Sequence, residues 1–481
     1  MSVDENKQNL SDQDTENREN YKSGWHYIIR GMWRSPLGLM GVAITTVSIT
    51  LMLVGLALDV LGLIHNPYAA MATYLLLPGG MVTGLLLIPI AAFVRRRRWR
   101  KYGIARDHLH INLSDHKHRR WLVGFIALTV INLSILVVIA YEGYHFTDSS
   151  FFCGRVCHTV MEPEYAVYQR SPHVKVKCVE CHIGPGADWF VRAKISGLRQ
   201  VAAVMAGSYS RPIPAPVEHL RPARDTCEEC HWPDKFHGKK IKIFQHFSNE
   251  EQAQPEVTEI ALHIGGRNPQ TDAFEGIHWH VSKDVQVSYL AADAKRTQIA
   301  RVKVTRPDGS HDEFVKEDID VAEDETHEWR IMDCIDCHNR PTHIYQMPEE
   351  VIDAGLLSRK INPDVPGIRE DGLAVLTKEY ESREAAQEIM VRNLVELQKK
   401  RDPAKAKQYA ADIKRAGEYL LAGYLGNVWP AMNVLWGTYG KHLGHQRAEE
   451  GYGCFRCHDE EHLNPEGNSI SQDCSVCHDE P

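Results

Sequence analysis

The sequence predicts a membrane-anchored chain: three N-terminal transmembrane helices, then a mainly α/irregular domain outside the membrane that contains a β-rich insert. Three observations predict it. Three apolar runs of membrane-spanning length precede Glu142, six repeats of a Cys-x-x-Cys-His pattern follow them, and β-type runs fill the gap between the third and fourth repeats. The chain has 481 residues, 43% of them hydrophobic, and a formal net charge of −8. That is long enough for two or three domains, and the charge excludes a general nucleic-acid binder.

Residues 1–20 are polar and acidic, with almost nothing to bury, and are expected to be a disordered cytoplasmic tail. They lack the basic start and early apolar core of a secretory signal. Residues 21–144 are the expected three-helix anchor. The apolar segments 37–64, 71–94 and 121–141 each reach the roughly 20 residues a spanning helix needs. Arg30 and Arg34 precede the first, and RRRRWRK (95–101) and HKHRR (116–120) fill the loop between the second and third. The opposite loops, HNPYAA and YEGYHFTDSSFF, contain no Lys or Arg. The positive-inside rule therefore puts the N-terminus in the cytoplasm and everything beyond Tyr141 outside, which in a bacterial inner membrane is the periplasm.

The repeats carry the chemistry. They are Cys153/Cys157/His158, Cys178/Cys181/His182, Cys227/Cys230/His231, Cys334/Cys337/His338, Cys454/Cys457/His458 and Cys474/Cys477/His478. Three residues separate the cysteines of the first and two those of the others, and the six pairs consume all 12 cysteines. Chance at this composition would give only about 0.02 such matches. Two thiols at this spacing form thioethers to a porphyrin while the adjacent histidine ligates its iron. A zinc site would not require a histidine after every second cysteine, and a redox dithiol would not recur six times. The pattern thus predicts six c-type haems and the fold class of a membrane-anchored multihaem cytochrome c. A haem-binding membrane helix needs paired histidines, and the three apolar cores contain none, His65 lying at an outer end. The helices are expected to anchor the chain without binding haem.

Residues 145–239 form the expected region of haems 1–3. Within it, ADWFVRAKISGLRQVAAVMA (187–206) is amphipathic at helical spacing, with Val191, Ile195, Leu198, Val201, Ala202 and Met205 on one face. Such a helix either lies in the membrane interface with Trp189 and Phe190 at headgroup level, or packs on the haem domain. Lys194 falls toward its apolar side, where a lysine either snorkels or hydrogen-bonds a quinol oxygen and assists its deprotonation. Residues 240–330 read as the β-rich insert, from KIKIF, EIALHIG, QVSYLA and IARVKV with a turn at Pro307-Asp308-Gly309. Residues 331–481 read as a C-terminal helical region carrying haems 4–6, with two long helical patterns between 383 and 426 broken near Pro403.

A low-spin haem needs a second axial ligand, and 14 histidines outside the motifs, from His145 to His462, exceed that demand. The candidates are His173, His219 just before the third motif, His280, His343 in CHNRPTH, His442 and His445. His278 and His280, in IHWH, would share one face of a strand. His442 and His445 would share one side of a helical turn. His311 and His327, in charged surroundings, are set aside.

Residues 157–200, CHTVMEPEYAVYQRSPHVKVKCVECHIGPGADWFVRAKISGLRQ, resemble the opening of the NapC/NirT family of membrane-anchored multihaem quinol dehydrogenases. The three helices, CHNRPTH and the closing GCFRCHDEEH and DCSVCH resemble the family's larger inner-membrane members from metal-respiring bacteria. The resemblance implies menaquinol, drawn from the quinone pool, as substrate at haem 1, and electron delivery to periplasmic c-type cytochromes. It implies His173 as a distal ligand and Met161 as an axial ligand of haem 1. Here the wider first motif puts Met161 three residues after His158 and leaves the choice between them open. The family also places an acid downstream of the lysine, whereas residues 195–206 contain no Asp or Glu. A quinol-oxidising electron-transfer module is therefore expected. Its rivals are a reductase of a small substrate such as nitrite, hydroxylamine or tetrathionate, and a wire subunit of a larger respiratory complex. Histidine closes every motif, which favours transfer.

Overall fold

The computed structural model describes residues 36–60, 72–101, 113–156, 158–184, 187–217, 222–268, 270–319, 321, 328–445 and 453–479. The expected disordered tail, Cys157, His219 and His327 lie outside the described residues. Two compact units result, Met1–Val156 and Cys157–Pro481, and the boundary falls inside the first cysteine motif.

The first unit contains α1 (Pro36–Val60), a π-helical turn (Ala72–Leu76), α2 (Leu77–Lys101), α3 (His116–Thr147) and a second π-turn (Phe152–Val156). Met52, Met81 and Ile139 are buried at its centre, with Ile49, Leu77, Ile135 and Leu136 packed around them. Leu53, Val54, Leu86 and Ile90 point outward and are exposed. An apolar exterior around a thin core suits a lipid solvent, where backbone groups are satisfied within each helix. α1 and α2 approach closely through small residues. A Cβ on Gly84 would stand 2.4 Å from Thr45 Oγ1 and 2.7 Å from the Gly41 carbonyl oxygen.

Three spans were expected; among the described residues two meet the length and composition of one, Pro36–Asp59 and Ala72–Ala91. The segment 121–141 is helical, but it lies inside the longer α3, which begins in the basic HKHRR stretch and runs to Thr147. Several of its side chains, those of residues 121, 122, 125 and 126 included, are not among those described. Two candidate spans therefore stand among the described residues, not three.

The second unit opens with α4 (His158–Tyr168), α5 (Cys178–His182), α6 (Ala187–Ala206) and α7 (Ala223–Cys227). Two sheets follow. β1 (Gly238–Phe247) and β2 (Pro255–Arg267) form a long antiparallel hairpin. β3 (Phe274–Glu275) extends it. The second sheet has the order β7-β4-β5-β6-β8, from β4 (Gln286–Ala291), β5 (Ile299–Thr305), β6 (His311–Lys316), β7 (Arg330–Ile331) and β8 (His462–Leu463). Val287, Tyr289, Ile299 and Val302 fill its core. The β5–β6 turn places Gly309 at φ 85° after Pro307-Asp308, a conformation glycine adopts without strain.

α8 (Cys334–Cys337) precedes a helical block: α9 (Pro348–Leu357), α10 (Ile368–Thr377), α11 (Arg383–Arg401), α12 (Pro403–Gln408) and α13 (Ala410–Asn427). Ile352, Leu356, Leu376, Met390, Leu394 and Leu420 are buried together at its centre. The break at Pro403 is a cap: Asp402 accepts hydrogen bonds from the Ala404 and Lys405 amides, and proline takes the first helical position.

The β-rich segment and the C-terminal tail are interlocked. Leu262 of β2 pairs with His478 of β9 (His478–Asp479), and Lys316 of β6 pairs with His462 of β8. The short tail has little core of its own and borrows sheet edges for order. Gly84→Val is expected to force α1 and α2 apart and destabilise the anchor by about 1–3 kcal/mol, read as a lower unfolding temperature in detergent.

Candidate haem sites

The third, fourth and fifth motifs each close in a single tight turn. The His231 amide donates to the Cys227 carbonyl at 2.7 Å, His338 to Cys334 at 2.8 Å and His458 to Cys454 at 3.1 Å. A residue one turn beyond the first cysteine returns to the same side of the backbone, so sulfur and imidazole face one plane. Acidic residues fix these turns. Asp333 accepts from the Cys334 amide at 2.6 Å and from the Ala223 amide at 2.8 Å, capping the fourth motif while clamping it to the helix of the third. Cys334 and Cys227 lie within hydrogen-bond reach of each other. Asp336, inside the fourth motif and 2% exposed, receives Tyr289 Oη at 2.7 Å and Arg330 Nε at 3.1 Å and lies 3.5 Å from Arg296 Nη1. Arg456, inside the fifth motif, donates to the Asp336 carbonyl at 2.6 Å and to the Arg296 carbonyl at 2.8 Å.

The structure places the motif cysteines unevenly. None of those described is in a disulfide; Cys153, Cys178, Cys227, Cys334, Cys337, Cys457 and Cys477 are half-buried, and Cys454 and Cys474 are exposed. Cys181 and Cys230, the second cysteines of the second and third motifs, are less enclosed than a buried attachment point would be. Cys181 is half-buried in α5, a single turn in which no residue is buried. Cys230 is exposed in the turn that follows α7, its amide donating to the Cys227 carbonyl at 3.1 Å. Thus Cys227 packs toward Cys334 on the inner side of its motif, while Cys230 stands on the solvent side. The physical reason is that a thioether holds the porphyrin at its rim, so the burial of the sulfur need not match that of the iron. The exposure of Cys230 and half-burial of Cys181 are therefore compatible with the attachment role that their spacing predicts.

The five motif histidines whose side chains are described each face a histidine from elsewhere in the chain. Ring centroids are 6.2 Å apart for His182 and His343, 6.0 Å for His231 and His173, and 6.4 Å for His338 and His278. They are 5.8 Å apart for His458 and His280, and 6.4 Å for His478 and His445. Two metal–nitrogen bonds of about 2 Å, with each ring centre about 1.1 Å beyond its nitrogen, require a separation of about 6 Å. The interplanar angles scatter from 7° to 77°. A constant distance with scattered angles fits a metal held between the rings, which would leave each ring free to turn about its own bond. Direct stacking or edge contact would fix the angle instead.

The hydrogen bonds agree with that reading. Nδ1 of His173 donates to the Pro341 carbonyl at 3.3 Å, His278 to Ile264 at 2.9 Å, His280 to Ile277 at 2.9 Å and His343 to Glu164 at 3.1 Å. A carbonyl only accepts, so Nδ1 carries the proton and Nε2 keeps its lone pair for a metal. Desolvation by the surrounding chain, reinforced by neighbouring histidines, pushes His182, His280 and His338 below the ordinary imidazole range. Neutral imidazole is the form that ligates. The sites fit haem.

The NapC/NirT cytochrome c family, N-terminal region, matches residues 116–213. The chain is 40% identical over 453 residues to the cytochrome c-type protein ImcH of Geobacter sulfurreducens, covering 93% of this chain and 88% of that protein. The chain belongs to the NapC/NirT family of c-type cytochromes. It is thereby a haem-binding, membrane-anchored electron-transfer cytochrome. No solved structure matches it.

As a NapC/NirT cytochrome it distributes the sequence candidates unevenly. His173, His280, His343 and His445 stand opposite motif histidines, while His219 lies outside the described residues. His278, not among the candidates, faces His338. The expected strand at IHWH is a 3-10 helix, Ile277–Val281, begun by Gly276 at φ 76°. Its roughly 120° per residue turns positions i and i+2 apart, so the two rings reach different motifs. His442 and His445 lie in irregular chain, not a helical turn. His442 is buried, its amide donates to Asn339 Oδ1 at 3.0 Å, and burial beside Arg456 and Arg296 pushes its imidazole down to about 3. His462 is fully buried with Nδ1 on Asp459 at 2.9 Å and Nε2 on the Ile299 carbonyl at 3.0 Å, a structural histidine. His311 is exposed. Met161 is half-buried on α4, the His158 side chain is not described, and Lys194 is half-buried on α6.

Asp336→Ala is expected to strand Arg330 and Tyr289 and to destabilise the second unit by about 3 kcal/mol. A drop in unfolding temperature with unchanged motif cysteines is the signature to measure.

Proposed function

We propose that this cytochrome carries six c-type haems and oxidises menaquinol at a bacterial inner membrane. Its N-terminus is cytoplasmic, its haem domain periplasmic, and periplasmic c-type cytochromes receive the electrons. α3 supplies the third crossing, which this orientation requires. The observation that carries the reading is the set of five histidine pairs. Haems 2 to 6 would be held between His182 and His343, His231 and His173, His338 and His278, His458 and His280, and His478 and His445. Haem 1 would be attached through Cys153 and Cys157, with His158 and Met161 as its candidate ligands.

Bound haem supplies one-electron chemistry. The chain's contribution is a histidine on each side of five sites, which would leave a small substrate no open position on a bound haem and favours transfer over a reductase. Neighbouring sites are tied by shared residues. Pro341, two residues before His343, holds His173; Cys227 adjoins Cys334; His278 and His280 share one short helix. Phe455, inside the fifth motif, stacks on His445 at 4.8 Å and 9°, linking the fifth site to the sixth.

The character of α6 supports electron entry at the membrane surface. Its apolar residues Ile195, Leu198 and Met205 are exposed, the last by 85%. That supports burial of this face in the headgroup region, with Lys194 bringing a cation to the quinol.

Two tests follow. Anaerobic mixing of the oxidised, membrane-embedded protein with a menaquinol analogue should reduce the haems, followed at the α-band, and Lys194→Ala should slow reduction by roughly tenfold or more. No reduction by quinol, with dithionite still reducing every haem, would contradict the proposal. His278→Ala should convert one haem to a high-spin or water-ligated form by electron paramagnetic resonance, whereas His442→Ala should leave all ligand fields unchanged.

A further inference from the structure

The first span ends in a carboxylate. Asp59 is the last residue of the span Pro36–Asp59 and is exposed, in a helix face that is otherwise apolar. Ionisable groups in such segments are rare and mark proton or substrate pathways. Tyr74, on the π-turn that opens the second span, is buried, 8% exposed, and its hydroxyl donates a hydrogen bond to Asp59 Oδ2. α3 packs tightly on this turn: a Cβ on Gly143 would lie 3.0 Å from the Tyr74 carbonyl oxygen, and Glu142 is within electrostatic reach of the Tyr74 hydroxyl.

An aromatic path leads away from the pair. The Tyr74 ring lies 5.6 Å from that of Phe146, and Phe146 lies 5.4 Å from Phe152 in an edge-to-face contact. Phe152 precedes Cys153, the first haem-attachment residue. The carboxylate at the end of the span is thus two ring contacts from the residue adjoining that cysteine.

We propose that Asp59 is the proton acceptor of the quinol site and that Tyr74 is the positioning residue that holds its carboxylate. The inference rests on the quinol-oxidising function proposed above and gives its proton side to the anchor. Residues 195–206, after Lys194, contain no acid that could serve instead. Asp59 is the exposed half of the pair and so the half a quinol moving in the bilayer reaches, while buried Tyr74 fixes its orientation. Oxidation of a quinol to the quinone breaks two O–H bonds and releases two protons and two electrons. Two ferric haems, when bound, would take one electron each. Each proton goes to the Asp59 carboxylate, which releases it to water before the second arrives. The bland alternative is that Asp59 and Tyr74 merely tie two helices together.

The test uses the full-chain, haem-loaded protein in lipid nanodiscs, with Asp59→Asn, Asp59→Glu and Tyr74→Phe. Haem reduction at saturating menaquinol analogue should fall about 100-fold in Asp59→Asn with KM within about threefold, recover to within about fivefold in Asp59→Glu, and fall about fivefold in Tyr74→Phe. Binding of a redox-inert hydroxyquinoline quinol analogue, read by its fluorescence quenching, should likewise stay within about threefold in Asp59→Asn, with haem content and dithionite reduction unchanged. If wild type is reduced by quinol and Asp59→Asn matches it in rate, this inference fails alone. Equal losses in all three variants with a lowered unfolding temperature indicate a helix tie and overturn it too. A wild type that quinol does not reduce overturns both this inference and the function on which it rests.

Discussion

The pairing of two imidazoles about 6 Å apart is the constraint on which the rest of the second unit depends. A cysteine motif fixes one ring locally, because a single turn returns the histidine to its cysteines. The opposing ring comes from remote chain, and the fold has to deliver it with its Nε2 aimed inward. His343 reaches His182 because Arg340, three residues earlier, bonds both Glu164 carboxylate oxygens at 3.0 Å and docks that loop on α4. His173 reaches His231 because its own Nδ1 is held by Pro341 in the same loop. One loop thus serves two histidine pairs.

The two sheets gain a purpose from the same constraint. The IHWH helix follows β3 and aims His278 and His280 at successive motifs, while β2 and β6 take up the tail strands around His478 and His462. A tail of about thirty residues could not order two haem sites alone, since below about 40 residues a chain rarely buries enough surface to hold itself. Buried Asp336 joins the fourth motif to the sheet through Tyr289 and to the fifth through Arg456. The helical block from Pro348 to Asn427 buries its own apolar core and carries no motif histidine.

Much of this is legible in the sequence, and the illegible part has a physical cause. The haem motifs are covalent chemistry written in consecutive residues, so they can be read without a fold. How far each sulfur is enclosed is not written there: Cys227 and Cys230 belong to one motif, yet the first adjoins Cys334 and the second is exposed, as packing from remote chain decides. The turn at Gly309 and the cap at Asp402-Pro403 are likewise local and legible. Distal ligands are not local: His278 and His442 look equally available in sequence, and only tertiary packing places one opposite His338 and the other among Arg456, Arg296 and Asn339. Reading IHWH as a strand put both rings on one face; Gly276 at positive φ starts a 3-10 helix instead and sends them to different sites. Asp59 is not legible as a paired carboxylate in sequence because its partner Tyr74 lies fifteen residues away.

The central claim is that five haems are held by histidine pairs along one chain, with the first ligated separately. The most direct measurement combines a pyridine haemochrome count with near-infrared magnetic circular dichroism of the oxidised full-chain protein. Six haems per chain, five of them with the charge-transfer band of two histidine ligands, is the predicted result. Fewer than five such haems, or a band from a haem with an open position among haems 2 to 6, would contradict the account.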